Sequence, residues 1–254
     1  MEVMTEHQVA IPVENNLLKC QPIGFGSIQG QSIQLSRSSV DYIDFIYQCY
    51  KNDKFMDLYR LAQNRAISKA DLKKRLLKEQ SELPQNVKRI EWVILKKQNE
   101  NLIPVGLASL ADYQVNHSRA ELLIGIVDPE SRNFGVSLEA SLLVIDFAFN
   151  QINLHKVCSY VYGYNDNAQK NTLHLGFTQE GLLIEHINSS KGFIDLYQNG
   201  LVKRNFHQNK VLAKLSLRLL GRDITQAKPP PRIQALSGDL LNKLKNKMME
   251  VPIK

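Results

Sequence analysis

The sequence predicts a mixed α/β layer protein built on one sheet. Three observations carry this. Period-2 and period-3.6 apolar segments alternate in the order strand, two helices, three strands, helix, strand, helix, two strands. Residues 128–137 pass directly from strand pattern into the helix pattern of 138–149. That one helix, lying between the fourth and fifth strands, makes the pair parallel through a right-handed crossover.

The elements follow in order. Residues 1–30 read as an irregular segment ending in Gly24, Gly26 and Gly30. Ile33 and Leu35 alternate with polar Ser32, Gln34 and Ser36, the pattern of a first strand. Ser38 or Ser39 caps a helix with Val40, Ile43, Phe45, Ile46 and Tyr47 on its apolar face. Asn52 and Asp53 open a loop. Ser68, with Asp71 in the capping-box position, starts a helix bearing Leu72, Leu76 and Leu77, which Pro84 and Asn86 end. Strands follow at 89–95, 103–110 and 119–127. The next helix carries Leu138, Leu142, Leu143, Ile145 and Phe149 at helical spacing. Residues 155–162, rich in Val and Tyr, form the fifth strand. A short helix at 168–175 precedes a closing hairpin, 179–187 and 192–206. Val211, Leu212, Leu215, Leu219 and Leu220 mark a further amphipathic helix. Lys228 and the prolines at 229–231 extend as a stiff spacer before a last helix at 236–248. The main domain therefore spans 31–207, between a segment 1–30 and a basic extension 208–254.

Composition narrows the class. The chain has 254 residues, 43% of them hydrophobic, and a formal charge of +7. It contains no apolar run of about 18 residues, so no membrane span is expected. Acids and Asn occupy the N-terminus where an export signal needs an apolar core, which points to the cytoplasm. Cys20, Cys49 and Cys158 are scattered and read as reduced, buried thiols. The six histidines are also scattered, none at metal-ligand spacing, so no metal is expected. Positive charge concentrates beyond Leu201, at Lys203, Arg204, Lys210 and Lys214 among others. That stretch is either a solvated tail or a face for an acidic peptide, a phosphorylated ligand or nucleic acid. No aromatic residues interleave the charges, and nucleic acid is not expected.

The chemistry concentrates in 119–177. A turn running from a strand into a helix start presents unsatisfied backbone N–H groups. A pyrophosphate is the anion that suits it, which points to a nucleotide-bearing cofactor.

Residues 31–206 resemble the GNAT superfamily of acyl-CoA-dependent N-acyltransferases, nearest to the ribosomal-protein-alanine and spermidine N-acetyltransferases. The resemblance rests first on the loop Arg132-Asn133-Phe134-Gly135-Val136-Ser137. Arg132 and Gly135 match the family pattern of Gln or Arg, two residues, Gly, one residue, Gly or Ala; Ser137 departs from it. Asn153 to Val157, the spacing from Asn165 to Gly176 and Phe177, Glu180-Gly181, and Asp195 carry the rest.

The resemblance implies a central sheet of about seven strands, splayed between the fourth and fifth, with helices on both faces and a helical C-terminal extension. It implies pantetheine bonded to backbone at Ile124, Ile126 and Val127. The pyrophosphate rests on N–H groups of Phe134, Gly135, Val136, Ser137 and Leu138, beside Arg132 and Asn133. Phe134 either covers the cofactor or plugs the helix start. Asn165 either binds the pantetheine arm or caps the following helix. Glu121 is the candidate general base, although the family's acid falls where Leu122 stands, and one residue along a strand reverses the face. The family's helical Tyr is missing between Asp166 and Gly176; Tyr164 or Tyr162 is the candidate general acid, with His174 in the same region. Cys158 has no nucleophile pattern around it. The implied activity is direct transfer, in a ternary complex, of an acetyl or longer acyl group from acyl-CoA to a primary amine. The amine belongs to a peptide, a protein or a small molecule. The alternative is an inactive module binding CoA or a peptide on the same fold, and a homodimer is among the assemblies allowed.

Overall fold

The computed structural model describes residues 26–60, 66–82, 86–127, 131, 135–189 and 192–226. The chain runs β1 (Ile28–Gln29), β2 (Ile33–Arg37), α1 (Ile43–Lys51), α2 (Asp53–Tyr59), α3 (Lys69–Ser81), β3 (Ile90–Gln98), β4 (Asn101–Gln114) and β5 (Arg119–Ile126). It continues through α4 (Val136–Asp146), which ends in a π-helical turn (Phe147–Gln151), then β6 (Lys156–Tyr162), α5 (Asp166–His174), β7 (Thr178–Ser189), β8 (Gly192–Val202), α6 (Lys203–Gln208) and α7 (Lys210–Leu220).

The strands form one sheet in the order β1-β2-β3-β4-β5-β6-β8-β7. Every neighbouring pair is antiparallel except β5 and β6, which the crossover through α4 makes parallel. Alternation along β5 divides the core. Leu122 and Ile126 pack with Trp92, Leu142, Phe149 and Phe206 on the α4 and α7 side. Leu123 packs with Tyr50, Phe55, Met56, Leu72 and Leu107 on the α1–α3 side. Helices thus cover both faces. Side-chain caps start several of them: Ser68 accepts from Asp71 N, and Asn209 accepts from Leu212 N.

Four features differ from the expected layout. The sheet has eight strands rather than seven, because β1 adds a two-residue edge strand too short for periodicity to register. Residues 53–59 form α2, not loop. Asn52 turns the chain, but its Oδ1 accepts from Phe55 N at 3.0 Å, so it starts a helix. The last strand stops at Val202, and 203–208 wind into α6. The expected boundary at 208 falls inside the packed unit. Leu212 and Leu215 of α7 and Ile224 belong to the α4-side core. Arg222 Nη1 meets the buried Asp146 Oδ2 at 2.6 Å, and Asn150 Nδ2 donates to the Ile224 carbonyl at 2.8 Å. The spacer at 228–231 and the expected helix at 236–248 lie outside the described residues. No helix among the described residues is long and apolar enough to cross a membrane.

Candidate active site

β5 and β6 are in register over three rungs, Arg119–Lys156, Ala120–Val157 and Glu121–Cys158. Beyond them β5 stays on β4 as far as Ile126, and β6 stays on β8 as far as Tyr162. The two strands therefore part, leaving an opening of about 610 Å³. Phe55, Leu58 and Tyr59 of α2 line one side of the sheet; Ser137, Leu138 and Ser141 of α4 line the other. Tyr160, Tyr162 and Asn165 complete the wall toward α5.

The hydrogen-bond phase of β5 decides which backbone groups face this opening. Val127 N donates to Val105 O at 2.8 Å. Counting back by two, Gly125, Leu123 and Glu121 also pair with β4, while Leu122, Ile124 and Ile126 turn their polar groups toward β6. Ile124 and Ile126, expected along the pantetheine, thus turn backbone groups toward the opening. Val127 does not, because its N–H is committed to β4. Leu122 joins the edge, and only the strand phase could have revealed it.

At the start of α4, Gly135 is the N-cap with φ of 72°. The first intrahelical bond is Glu139 N to Gly135 O at 2.9 Å. The N–H groups of Val136, Ser137 and Leu138 precede it and have no intrahelical acceptor. A Cβ on Gly135 would meet nothing closer than Leu219 at 4.0 Å, so conformation rather than space requires the glycine. Glu139, buried in the first turn, accepts from Ser32 N at 3.0 Å and from Ser32 Oγ, anchoring the β1–β2 turn to this helix. Arg132, Asn133 and Phe134 lie outside the described residues. Asn165 Oδ1 accepts from Ala168 N at 3.2 Å, so it caps α5 while also lining the opening.

Glu121 sits on the last paired rung, opposite Ala111 of the α1–α3-side core. It therefore faces the α2 side of the sheet, and Leu122 faces away. No bulge in β5 is involved; the irregularity lies in β4, after Ala111, where Asp112 has φ of 45°. Burial raises the Glu121 carboxyl above the usual carboxylate range, with Arg60 opposing and Asp112 adding to the rise. Glu121 stands at the base of the opening rather than in its wall. Beside it, burial raises the Cys158 thiol and the Tyr160 phenol. Tyr164 is half-exposed; its Oη donates to the Asp57 carbonyl of α2, and its ring stacks on Tyr162 at 5.8 Å. Tyr162 lines the opening and Tyr164 does not. Gly125 lets α2 approach β5: a Cβ there would stand 2.5 Å from Phe55 Cε2 and 2.8 Å from Tyr59 Cδ2. The α2 residues were missed in sequence. Their signal is the apolar spacing Phe55, Leu58, Tyr59.

A second cavity, of about 760 Å³, lies between α3 and the end of β4, lined by Arg75, Glu79, Lys88 and Arg89. Its arginines are engaged in ion pairs with Glu79 and the buried Glu91, both at 3.5 Å. No strands part there.

Residues 34–178, more than half of the chain, match the model of the acetyltransferase (GNAT) domain. The chain belongs to the GNAT acetyltransferase family. It is 27% identical over 156 residues to the uncharacterized N-acetyltransferase YoaA of Bacillus subtilis (strain 168), covering 61% of this chain and 79% of that one. It is 30% identical over 109 residues to spermidine N(1)-acetyltransferase of Escherichia coli (strain K12), covering 43% and 55% of the two chains. The structure of spermidine N-acetyltransferase from Vibrio cholerae in complex with CoA and spermine matches with a TM-score of 0.60 at 22% identity, over 68% of this chain and 97% of that one. At that identity the likeness establishes the fold. This GNAT chain is an acyl-CoA-dependent N-acyltransferase, and CoA carries the group it transfers.

Proposed function

We propose that this GNAT enzyme acetylates a small primary amine, with the donor seated between the parted strands and Glu121 as general base. One observation carries the reading. β5 and β6 part directly after the Glu121–Cys158 rung, so a half-buried carboxylate stands at the base of an opening with an α4 N-terminus on one side and α2 on the other.

The residues fit the donor. The N–H groups of Gly135, Val136, Ser137 and Leu138 suit the diphosphate; Arg132, Asn133 and Phe134 are proposed to contact it as well. The edge of Leu122, Ile124 and Ile126 suits the pantetheine arm, with Asn165 opposite. The closeness of Phe55 and Tyr59 to Gly125 leaves room for a short acyl group, so the donor is acetyl-CoA. Bound there, CoA supplies a thioester that the amine attacks directly. Glu121 takes the proton from the incoming amine, itself or through a water; its raised proton affinity suits a general base. Backbone N–H groups of the β5 edge support the charge that develops on the carbonyl oxygen. The proton returned to sulfur comes from the Tyr162–Tyr164 pair, of which Tyr162 lines the opening and Tyr164 holds the pair to α2.

Thiol release from acetyl-CoA with a panel of primary amines tests this. Glu121→Gln lowers kcat by about 10²–10⁴ and leaves acetyl-CoA affinity unchanged by calorimetry. No heat of binding with acetyl-CoA sinks the proposal. Equal turnover with hexanoyl-CoA removes the acetyl preference alone.

A further inference from the structure

Resting on that reading, we infer that the acceptor carries a single amine on an uncharged apolar or aromatic body, and that polyamines are poor substrates. The amine must approach Glu121 from the α2 face, because the α4 N-terminus occupies the other side of the sheet. On that face Phe55, Leu58 and Tyr59 stand across from Tyr160 and Tyr162. Among the described residues lining the whole opening, the one charged side chain is Lys170, a cation.

A polyamine placing one nitrogen beside Glu121 leaves its other ammonium groups against these walls. Each loses hydration there, and no lining carboxylate among the described residues offsets the loss. The acidic residues near this face, Asp53 and Asp57 of α2 and Asp112 of β4, which acts on Glu121 electrostatically, line no part of the opening. An aromatic or alkyl body meets the opposite situation, since its burial is favourable over the same surface. The rim agrees. Leu58 is 43% exposed and lines the opening from α2, and Tyr164, 50% exposed, stacks on Tyr162 of its wall. Tyr164 is held to the Asp57 carbonyl, so this apolar edge is fixed beside the opening rather than loose on the surface.

The test compares kcat/KM, by thiol release from acetyl-CoA, for 2-phenylethylamine and n-hexylamine against putrescine and spermidine. The apolar amines are expected to exceed the polyamines by about ten-fold or more. Leu58→Glu, which adds a carboxylate at the rim, shifts that ratio toward spermidine by about ten-fold; a circular-dichroism spectrum and melting curve like the parent's verify that the variant is folded. Spermidine matching or exceeding 2-phenylethylamine with the wild-type chain overturns the inference and leaves the acetyltransfer reading intact. A ratio unmoved by Leu58→Glu in a folded variant also overturns it. No thiol released with any of these amines, while acetyl-CoA binds, overturns the acyl-transfer reading and this inference with it.

Discussion

Replacing Gly125 by alanine puts one methyl group between β5 and α2. Its Cβ would stand 2.5 and 2.7 Å from Phe55 Cε2 and Cζ, and 2.8 Å from Tyr59 Cδ2. Carbon atoms in contact sit at about 3.5–4.0 Å, so the rings must retreat by roughly 1 Å. They have little room to do so: Phe55 is 2% exposed, Tyr59 3%, and the two stack at 5.0 Å. Overpacking of this kind costs about 1–3 kcal/mol. Removing a strand glycine works the other way by about 0.5–1 kcal/mol, and Gly125 has no positive φ to protect. Overpacking wins, for a net loss of about 0.5–2 kcal/mol. Urea denaturation measures it as a lower midpoint at constant m. Because α2 lines the opening beside Gly125, KM for the amine rises. A midpoint at or above that of the parent chain would show that α2 is not seated on β5, and the shape assigned to the opening would fall with it.

Glu121→Gln probes the base through pH. Burial raises the carboxyl, so the acidic limb of kcat/KM lies above the ordinary glutamate range, and the variant lacks it. The same rise has a stability sign: stability is present below the unfolded value and is lost as pH rises through the folded one. The variant is therefore more stable than the parent at about pH 8, and the difference shrinks toward about pH 4; a pH-independent difference refutes the assigned burial. Gly135→Ala forces φ of 72° on a side chain, costing about 1–2 kcal/mol, and weakens acetyl-CoA binding in calorimetry; unchanged affinity would detach the α4 N-terminus from the donor. Arg222→Ala leaves the Asp146 carboxylate, wholly buried, without its 2.6 Å partner. The expected loss is about 1–3 kcal/mol, since the arginine is partly solvated, or roughly 2–10 °C in Tm; a shift under about 1 °C would make residues 222–226 an appendage rather than part of the core.

Much of the architecture was legible because it is local. Ser68 with Asp71, the alternation of Ile33 with Leu35, and the run from Leu138 to Phe149 each state an element within a few residues. Asn52 misled for a local reason too: the side chain that makes a turn also caps a helix, and only the packing of Phe55, Met56 and Tyr59 chooses between them. At 211–220 the spacing of Leu212 and Leu215 states an amphipathic helix, but only the packing shows that both are buried in the main core rather than set on a basic extension.

The α/β order, the parallel β5–β6 pair and the glycine that starts α4 follow from periodicity and backbone conformation along the chain, and sequence states them alone. The facing of Glu121 and the commitment of Val127 to β4 do not, and the parting of β5 from β6 is expected only through the family resemblance. They depend on which backbone groups neighbouring strands occupy, and β6 is drawn to β8 by residues about forty positions downstream. Period-2 alternation tells two faces apart but not which is which. Only the seating of α2 on Gly125 and of α4 on the opposite side names the face from which an amine can reach the Glu121 carboxylate.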